Sequence, residues 1–131
     1  MQNRAAGTFE VNLRPQAPQG EEAANPGRML IVKQFHGDLE ASSKGQMLSA
    51  MSPIKGSAGY VALEEVTGTL AGRRGTFILL HSGLMNRGTP QLTILVVPDS
   101  GTGELTGLTG SMSIRMEGGK HSYEFSYSLS E

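Results

Sequence analysis

The residues best suited to chemistry in this chain are two adjacent glutamates, Glu64 and Glu65. They lie in a segment that alternates as a β-strand, so their side chains point to opposite faces and one of them is expected to point inward. Desolvation is expected to raise the pKa of an inward carboxylate, which could then accept or donate a proton. The alternative is a rim carboxylate paired with an arginine such as Arg73 or Arg115.

His81 is the second candidate for proton transfer. It ends a predicted strand on the face that also carries Phe77 and Leu79. Imidazole can act as an acid, a base or a hydrogen-bond donor near neutral pH. The alternative is a structural histidine at a strand end whose hydrogen bonds are satisfied. Convergence of His81 with Glu64 would make the two residues a catalytic pair.

The three histidines, His36, His81 and His121, lie on separate predicted strands. None of them has the short spacing to a second histidine that is typical of metal motifs, and the chain has no cysteine. Three distant strands can still converge inside a barrel. We nevertheless predict no metal site and no organic cofactor.

The elements that must position these residues are short strands separated by glycine-rich turns. The chain contains 18 glycines and shows no convincing helical period. The strands are predicted at 8–13, 29–35, 39–43, 46–51, 60–70, 76–82, 91–97, 105–116 and 121–129, with a hairpin turn at Lys44-Gly45 and a turn region at 83–90. Residues 14–28 are predicted to form a polar loop. About eight strands favour a closed antiparallel all-β barrel, with a two-sheet sandwich as the alternative.

Composition excludes several classes of function. The 131 residues fit one domain, 1–131, and 11 basic residues balance 12 acidic ones, which argues against nucleic acid as a partner. The absence of cysteine excludes disulfides and thiol chemistry. No apolar stretch approaches the length of a transmembrane helix, and no signal peptide is evident. We therefore expect a cytoplasmic protein that is not bound to a membrane.

Four strings in a fixed order carry a resemblance to a known family. They are Phe35-His36-Gly37-Asp38-Leu39, residues 59–70 (GYVALEEVTGTL), residues 98–105 (PDSGTGEL) and Gly119-Lys120-His121-Ser122-Tyr123. Together they resemble a bacterial family of domains of unknown function, number 3224, from about Thr8 to Leu129. That family is similar in fold to allene oxide cyclase, an eight-stranded barrel with a pocket at one end. The resemblance implies that Glu64, rather than Glu65, is the recurrent carboxylate, together with Tyr60.

These residues predict a small-molecule pocket inside the barrel. The catalytic candidates are Glu64 and His81, and the candidate ligand contacts are Tyr60, Lys33, Phe35, Phe77, His121 and Tyr123. His121 and Tyr123 share the face of the last strand with Phe125 and Tyr127, a pattern that is also typical of a plain core.

Three functions remain open at the level of the sequence. The first is a barrel that binds a small apolar molecule. The second is an isomerase or cyclase acting on an apolar substrate, which the likeness to allene oxide cyclase implies. The third is a filled interaction module that forms homo-oligomers, because apolar residues occur on both faces of Leu92 to Val97.

Overall fold

The computed structural model describes residues 3–15 and 27–129. These residues form eight antiparallel strands in chain order, each paired with the next, and β8 pairs with β1 to close a barrel. The strands are β1 (Asn3–Pro15), β2 (Gly27–Gly37), β3 (Leu39–Met51), β4 (Ala58–Leu70), β5 (Arg73–Asn86), β6 (Thr89–Val96), β7 (Leu108–Glu117) and β8 (Lys120–Leu129). The predicted fold class is confirmed.

The strands form because apolar and polar residues alternate with a period of two over most of their length. In β2, for example, Ile31, Lys33 and Phe35 are buried and face the interior, while Val32 and Gln34 are exposed. Pairing of each strand on both sides satisfies the backbone hydrogen bonds and leaves few free edges. The inward residues of all eight strands therefore meet in one interior.

The two ends of the barrel differ. At one end, the closed end, the chain turns at Asp38 and at Ala71-Gly72 and crosses from β6 to β7 through a 3-10 turn, Gly103–Leu105. Side chains from many strands fill this end, and the residues packed there include Phe35, Leu39, Val66, Leu70, Phe77, Leu79, Ile94, Leu105, Leu108, Tyr123 and Phe125. The other end, the mouth, contains the turns at 52–57, 87–88 and 118–119. The inward side chains of the mouth are only partly buried, so this is the end at which a molecule could enter the barrel.

The turn predicted at Lys44-Gly45 is wrong, and the turn region predicted at 83–90 is confined to residues 87–88; close backbone approach explains both differences. Gly45 does not make a hairpin but continues β3, directly opposite Glu64, and a Cβ at Gly45 would collide with the Leu63 carbonyl and the Glu64 backbone. Gly83 likewise lies within β5, opposite Tyr60, and a Cβ there would collide with the Tyr60 ring. Glycine is needed at these positions for space rather than for a turn.

Other boundaries also differ from the sequence-based expectation. The first strand extends beyond 8–13 to Asn3–Pro15, because it pairs with both β2 and β8. Four residues of the expected 14–28 loop belong to strands β1 and β2, and residues 16–26 lie outside the described part of the chain. The strand expected at 105–116 begins at Leu108, since Gly103–Leu105 forms the 3-10 turn.

Among residues 3–15 and 27–129, no helix has the length and apolar character that a membrane crossing requires.

Candidate functional site

Four polar side chains meet inside the barrel, between the filled closed end and the mouth. They are Lys33, Ser43, Glu64 and His81, one from each of the four consecutive strands β2 to β5, and all four are buried. We call them the polar cluster. Charged side chains are rarely this buried unless they are paired. The charges of the cluster must therefore be balanced by contacts among its own residues.

Glu64 is the centre of the polar cluster and is only 1% exposed. Its Oε1 accepts hydrogen bonds from Lys33 Nζ at 3.0 Å and from His81 Nε2 at 2.6 Å, and its Oε2 accepts one from the Ser43 hydroxyl at 2.6 Å. Glu65 is exposed on the outer face. The inward residue is therefore Glu64, and its partners are a lysine and a histidine rather than the arginines considered from the sequence.

The expected rise in the pKa of Glu64 is wrong. Burial by itself raises this pKa, but the His81 hydrogen bond, the positive charge of Lys33 and the Ser43 hydrogen bond together outweigh burial. The net effect lowers the pKa from 4.5 to about 2. Glu64 is thus a stable anion near neutral pH, and it is suited to accepting hydrogen bonds from its neighbours rather than to exchanging a proton.

His81 is held by Glu64 through one of its two ring nitrogens. Since an ionised carboxylate can only accept, the Nε2 atom of His81 must carry the hydrogen that it donates to Glu64. In the neutral imidazole the lone pair then lies on Nδ1. No described residue forms a hydrogen bond with Nδ1. A carboxylate that fixes the tautomer of a histidine in this way leaves the other nitrogen available to a ligand.

Tyr60 separates His81 from the mouth. Its ring centroid lies 6.4 Å from that of His81, and the ring packs across Gly83 on the neighbouring strand. Burial, and then the negative charge of Glu64, raise the pKa of the Tyr60 hydroxyl. The hydroxyl therefore stays protonated and can donate a hydrogen bond to a ligand.

A cavity of about 370 Å³ opens at the mouth above Tyr60. Apart from Tyr60 its wall is almost wholly apolar, and its inward-facing part includes Met47, Met85, Pro90 and Leu92. Methionine side chains adapt their shape to different apolar partners. The cavity has the size and the lining of a small-molecule site.

The other predicted ligand contacts lie at different depths. Phe35 forms the floor of the polar cluster, with its ring centroid 5.8 Å from Lys33 Nζ, and the ring of Phe9 lies 5.2 Å from the same atom. His121 packs against Phe9 at 5.1 Å between ring centroids. The faces of the Phe9 and Phe35 rings lie over Lys33, a setting that accommodates an ammonium group.

Phe77 and Tyr123 lie farther from the polar cluster, in the closed end. Phe77 stacks on Phe125, and the Tyr123 hydroxyl bonds to the backbone of His36 and Leu39 at the turn between β2 and β3. The structure thus brings together Lys33, Glu64, His81, Tyr60 and Phe35. Tyr123 packs edge-on against Phe35, with 5.6 Å between the ring centroids, but its hydroxyl bonds to the turn backbone rather than to the polar cluster, and Phe77 packs on Phe125. Their roles as ligand contacts stay predictions.

The three histidines do not converge. His36 lies on the outer face beside Glu10, with 3.1 Å between Nε2 and Oε1, whereas His81 and His121 face the interior. No group of three or more histidine, aspartate or glutamate side chains in the described part of the chain could hold a metal ion.

Ser43 and the mouth residues were not singled out from the sequence. Ser43 follows Leu39 and Ala41 on the inward face of β3, so alternation alone could have placed it inside. Met85 was missed because residues 83–90 were assigned to a turn, and Met47, although it lies in the strand predicted at 46–51, was not recognised as facing inward. Recognition of β3 and β5 as long continuous strands would have revealed them.

The outer surface carries its own apolar feature. A groove of about 840 Å³ crosses the outer faces of β3, β4 and β5, and its wall includes the exposed side chains of Leu48, Val61, Leu63 and Leu80. Homo-oligomer formation stays a prediction, which a measurement of mass in solution by light scattering would check.

Fold and site together define the class of protein: an eight-stranded antiparallel barrel with a buried charged cluster below an apolar mouth. Residues 5–127 match the model of the family described as protein of unknown function, DUF3224. The chain belongs to this family.

One solved structure supports the assignment. The chain is similar to a protein of unknown function from the DUF3224 family of Shewanella oneidensis MR-1. The two are 49% identical, the match covers 100% of each chain, and the TM-score is 0.91. No curated protein matches the chain.

Proposed function

We propose that this protein binds a small, mostly apolar molecule at the mouth of the barrel, with the polar end of the molecule directed toward Tyr60 and His81. The observation that carries the proposal is the apolar cavity of about 370 Å³ that opens directly onto Tyr60, with the polar cluster behind it. Apolar pockets with a few convergent polar groups are the usual form of ligand sites.

The chemistry of the polar end follows from Tyr60, which lines the cavity, and from His81, whose ring lies behind Tyr60 at 6.4 Å between centroids. The Tyr60 hydroxyl can donate a hydrogen bond, and the Nδ1 lone pair of His81 can accept one. The charges of Lys33 and Glu64 already balance each other at 3.0 Å. A ligand with a neutral hydroxyl or carbonyl group therefore fits better than a carboxylate, which would be repelled by the Glu64 anion.

Binding is tested with N-phenyl-naphthylamine, a neutral apolar dye whose fluorescence rises when it leaves water. We expect Met47→Lys to weaken dye binding by roughly tenfold, since a lysine in the cavity wall opposes burial of an apolar molecule. Leu48→Lys is the matched control, because Leu48 is the next residue of β3 but faces outward. The measurement is a fluorescence titration of the wild-type protein and both variants.

Two results would count against the mouth as the site. Loss of dye binding in Leu48→Lys alone would place the dye in the outer groove. Absence of binding in the wild-type protein, together with an empty barrel in native mass spectrometry of the protein from its own host, would favour a filled barrel with no ligand.

A second candidate function is an isomerase or cyclase, and the 2.6 Å bond between Glu64 and His81 favours it. A carboxylate that orients an imidazole produces a general base, as in many acid–base catalysts. The resemblance to allene oxide cyclase that the sequence implied would make the reaction a ring closure or isomerisation of an apolar substrate. In this function the barrel wall would hold the substrate in a reactive conformation while His81 moved a proton.

The enzymatic candidate has its own test. The molecule that copurifies with the protein from its host is incubated with it in heavy water, and the uptake of solvent deuterium is followed by mass spectrometry. We expect the wild-type protein to catalyse exchange and His81→Gln to lose it by at least about a hundredfold, which is typical of the loss of a general base. Retained N-phenyl-naphthylamine binding in His81→Gln would show that the fold is intact. Equal exchange rates in the two proteins would eliminate His81 as the base.

A further inference from the structure

The barrel is closed unevenly, and its weakest seam lies between β6 and β7. These strands pair at only two positions, Ile94↔Met112 and Leu95↔Ser111. On either side of them the pairing is extensive, from Leu79↔Val96 to Asn86↔Thr89 between β5 and β6 and from Leu108↔Leu129 to Glu117↔Lys120 between β7 and β8. The seam therefore has far fewer backbone hydrogen bonds to hold it than its neighbours do.

The seam opens toward the mouth. Residues 89–93 of β6 pair only with β5, and residues 113–117 of β7 pair only with β8. The two stretches form the sides of a notch in the barrel wall, which we call the β6–β7 notch. A ligand could pass through it without breaking any strand pairing.

The sides of the notch are apolar on the face that points inward. Leu92 on β6 is 41% exposed and Met116 on β7 is 66% exposed, although both continue the inward rows that include the buried Ile94 and Met112. Ile114, which lies between Met112 and Met116 on the same face of β7, is half-buried. Inward-facing apolar side chains with this much exposure are what an apolar ligand would cover.

The mouth cavity lies against the β6 side of this notch. Its wall on β6 includes Pro90 and Leu92, which belong to the strand that forms one side of the notch. Pro90 also lacks a backbone N–H, so it prevents another strand from pairing fully along the free edge of β6. The free edge is thus suited to the passage of a small molecule rather than to the addition of a peptide strand.

We infer that the β6–β7 notch is a lateral entrance through which an apolar ligand reaches the mouth cavity, and that Leu92 and Met116 contact the ligand as it passes. This inference rests on the proposed binding function. Entry through the notch allows the elongated apolar part of a ligand to remain between β6 and β7 while its polar end reaches Tyr60.

A disulfide engineered across the notch tests the lateral entrance. The natural chain has no cysteine that could compete for the new bond. Extension of the β6–β7 register places Gln91 opposite Arg115, and both side chains are exposed on the outer face. We expect the oxidised Gln91→Cys/Arg115→Cys variant to bind N-phenyl-naphthylamine at least tenfold more slowly in stopped-flow fluorescence, with recovery after reduction. The matched control is Ser82→Cys/Thr93→Cys, which links directly opposed residues of β5 and β6 and leaves the notch open.

A disulfide forms only when the two Cα atoms approach to within about 7 Å, so a second variant is independent of it. Met116→Trp fills the notch from the β7 side and is also expected to slow association, whereas Ser113→Trp, which adds the same ring on the outer face of β7, is not. Unchanged association rates in the locked variant and in Met116→Trp, with normal binding by the wild-type protein, would overturn the lateral entrance alone. Absence of dye binding by the wild-type protein would instead overturn the proposed function, and the entrance with it.

Discussion

Glu64→Gln is expected to lower the free energy of unfolding by about 3–5 kcal/mol, because it leaves Lys33 as a buried charge without its partner. Lys33 Nζ lies 3.0 Å from Glu64 Oε1, and its other close neighbours are the rings of Phe9 and Phe35. The glutamine retains the size of Glu64, and its amide oxygen can still accept a hydrogen bond from His81 while its NH2 group donates one to the Ser43 hydroxyl. The loss therefore reports charge rather than packing.

The double variant Lys33→Met/Glu64→Gln is the matched control for this prediction. Removal of both charges is expected to restore stability to within about 2 kcal/mol of the wild-type protein, since an apolar replacement of a buried ion pair is often close to neutral. Urea denaturation of the four members of the cycle measures the coupling between the two residues. Additive losses in the double variant would contradict a strong Lys33–Glu64 interaction.

Acid is expected to destabilise the protein through the same carboxylate. In the folded protein the pKa of Glu64 is lowered from 4.5 to about 2, whereas in the unfolded chain it returns to the ordinary value. The unfolded state thus binds more protons between these two values, so stability is lost as the pH falls from 4.5 toward 2. The shift corresponds to about 3 kcal/mol.

Comparison with the Lys33→Met/Glu64→Gln variant isolates this contribution from the other carboxylates. The free energy of unfolding is measured for both proteins by urea denaturation across the acidic range. We expect the wild-type curve to fall more steeply, by about 3 kcal/mol in total over the interval between the two pKa values. Parallel curves would mean that Glu64 has an ordinary pKa and that the polar cluster is not held together by charge.

These two predictions bear on function as well as on stability. A histidine keeps one tautomer beside a carboxylate only if that carboxylate stays ionised. Lys33 and Ser43 help to keep Glu64 ionised, because both lower its pKa. His81 is then held through Nε2, and its Nδ1 atom is left for a ligand. In the proposed site, the polar cluster therefore orients His81 below Tyr60.

The sequence by itself determined the class of fold. The alternation in segments such as His121 to Leu129 and the glycine-marked turns predicted about eight antiparallel strands and favoured a closed barrel over a two-sheet sandwich. Alternation also separated Glu64 from Glu65, and the four ordered strings indicated the family. These features are local, so they can be recognised without knowledge of which strands lie side by side.

Only the tertiary structure decided what Glu64 does. Its pKa depends on Lys33, Ser43 and His81, which come from three other strands and approach it only when the barrel forms. Sequence reasoning could predict the cost of burial, which raises the pKa, but not the hydrogen bonds and the charge that reverse the shift. The need for glycine at positions 45 and 83 also depends on the tertiary structure, since each glycine provides space for a residue on a neighbouring strand. Long-range proximity, set by strand register, is what the sequence did not show.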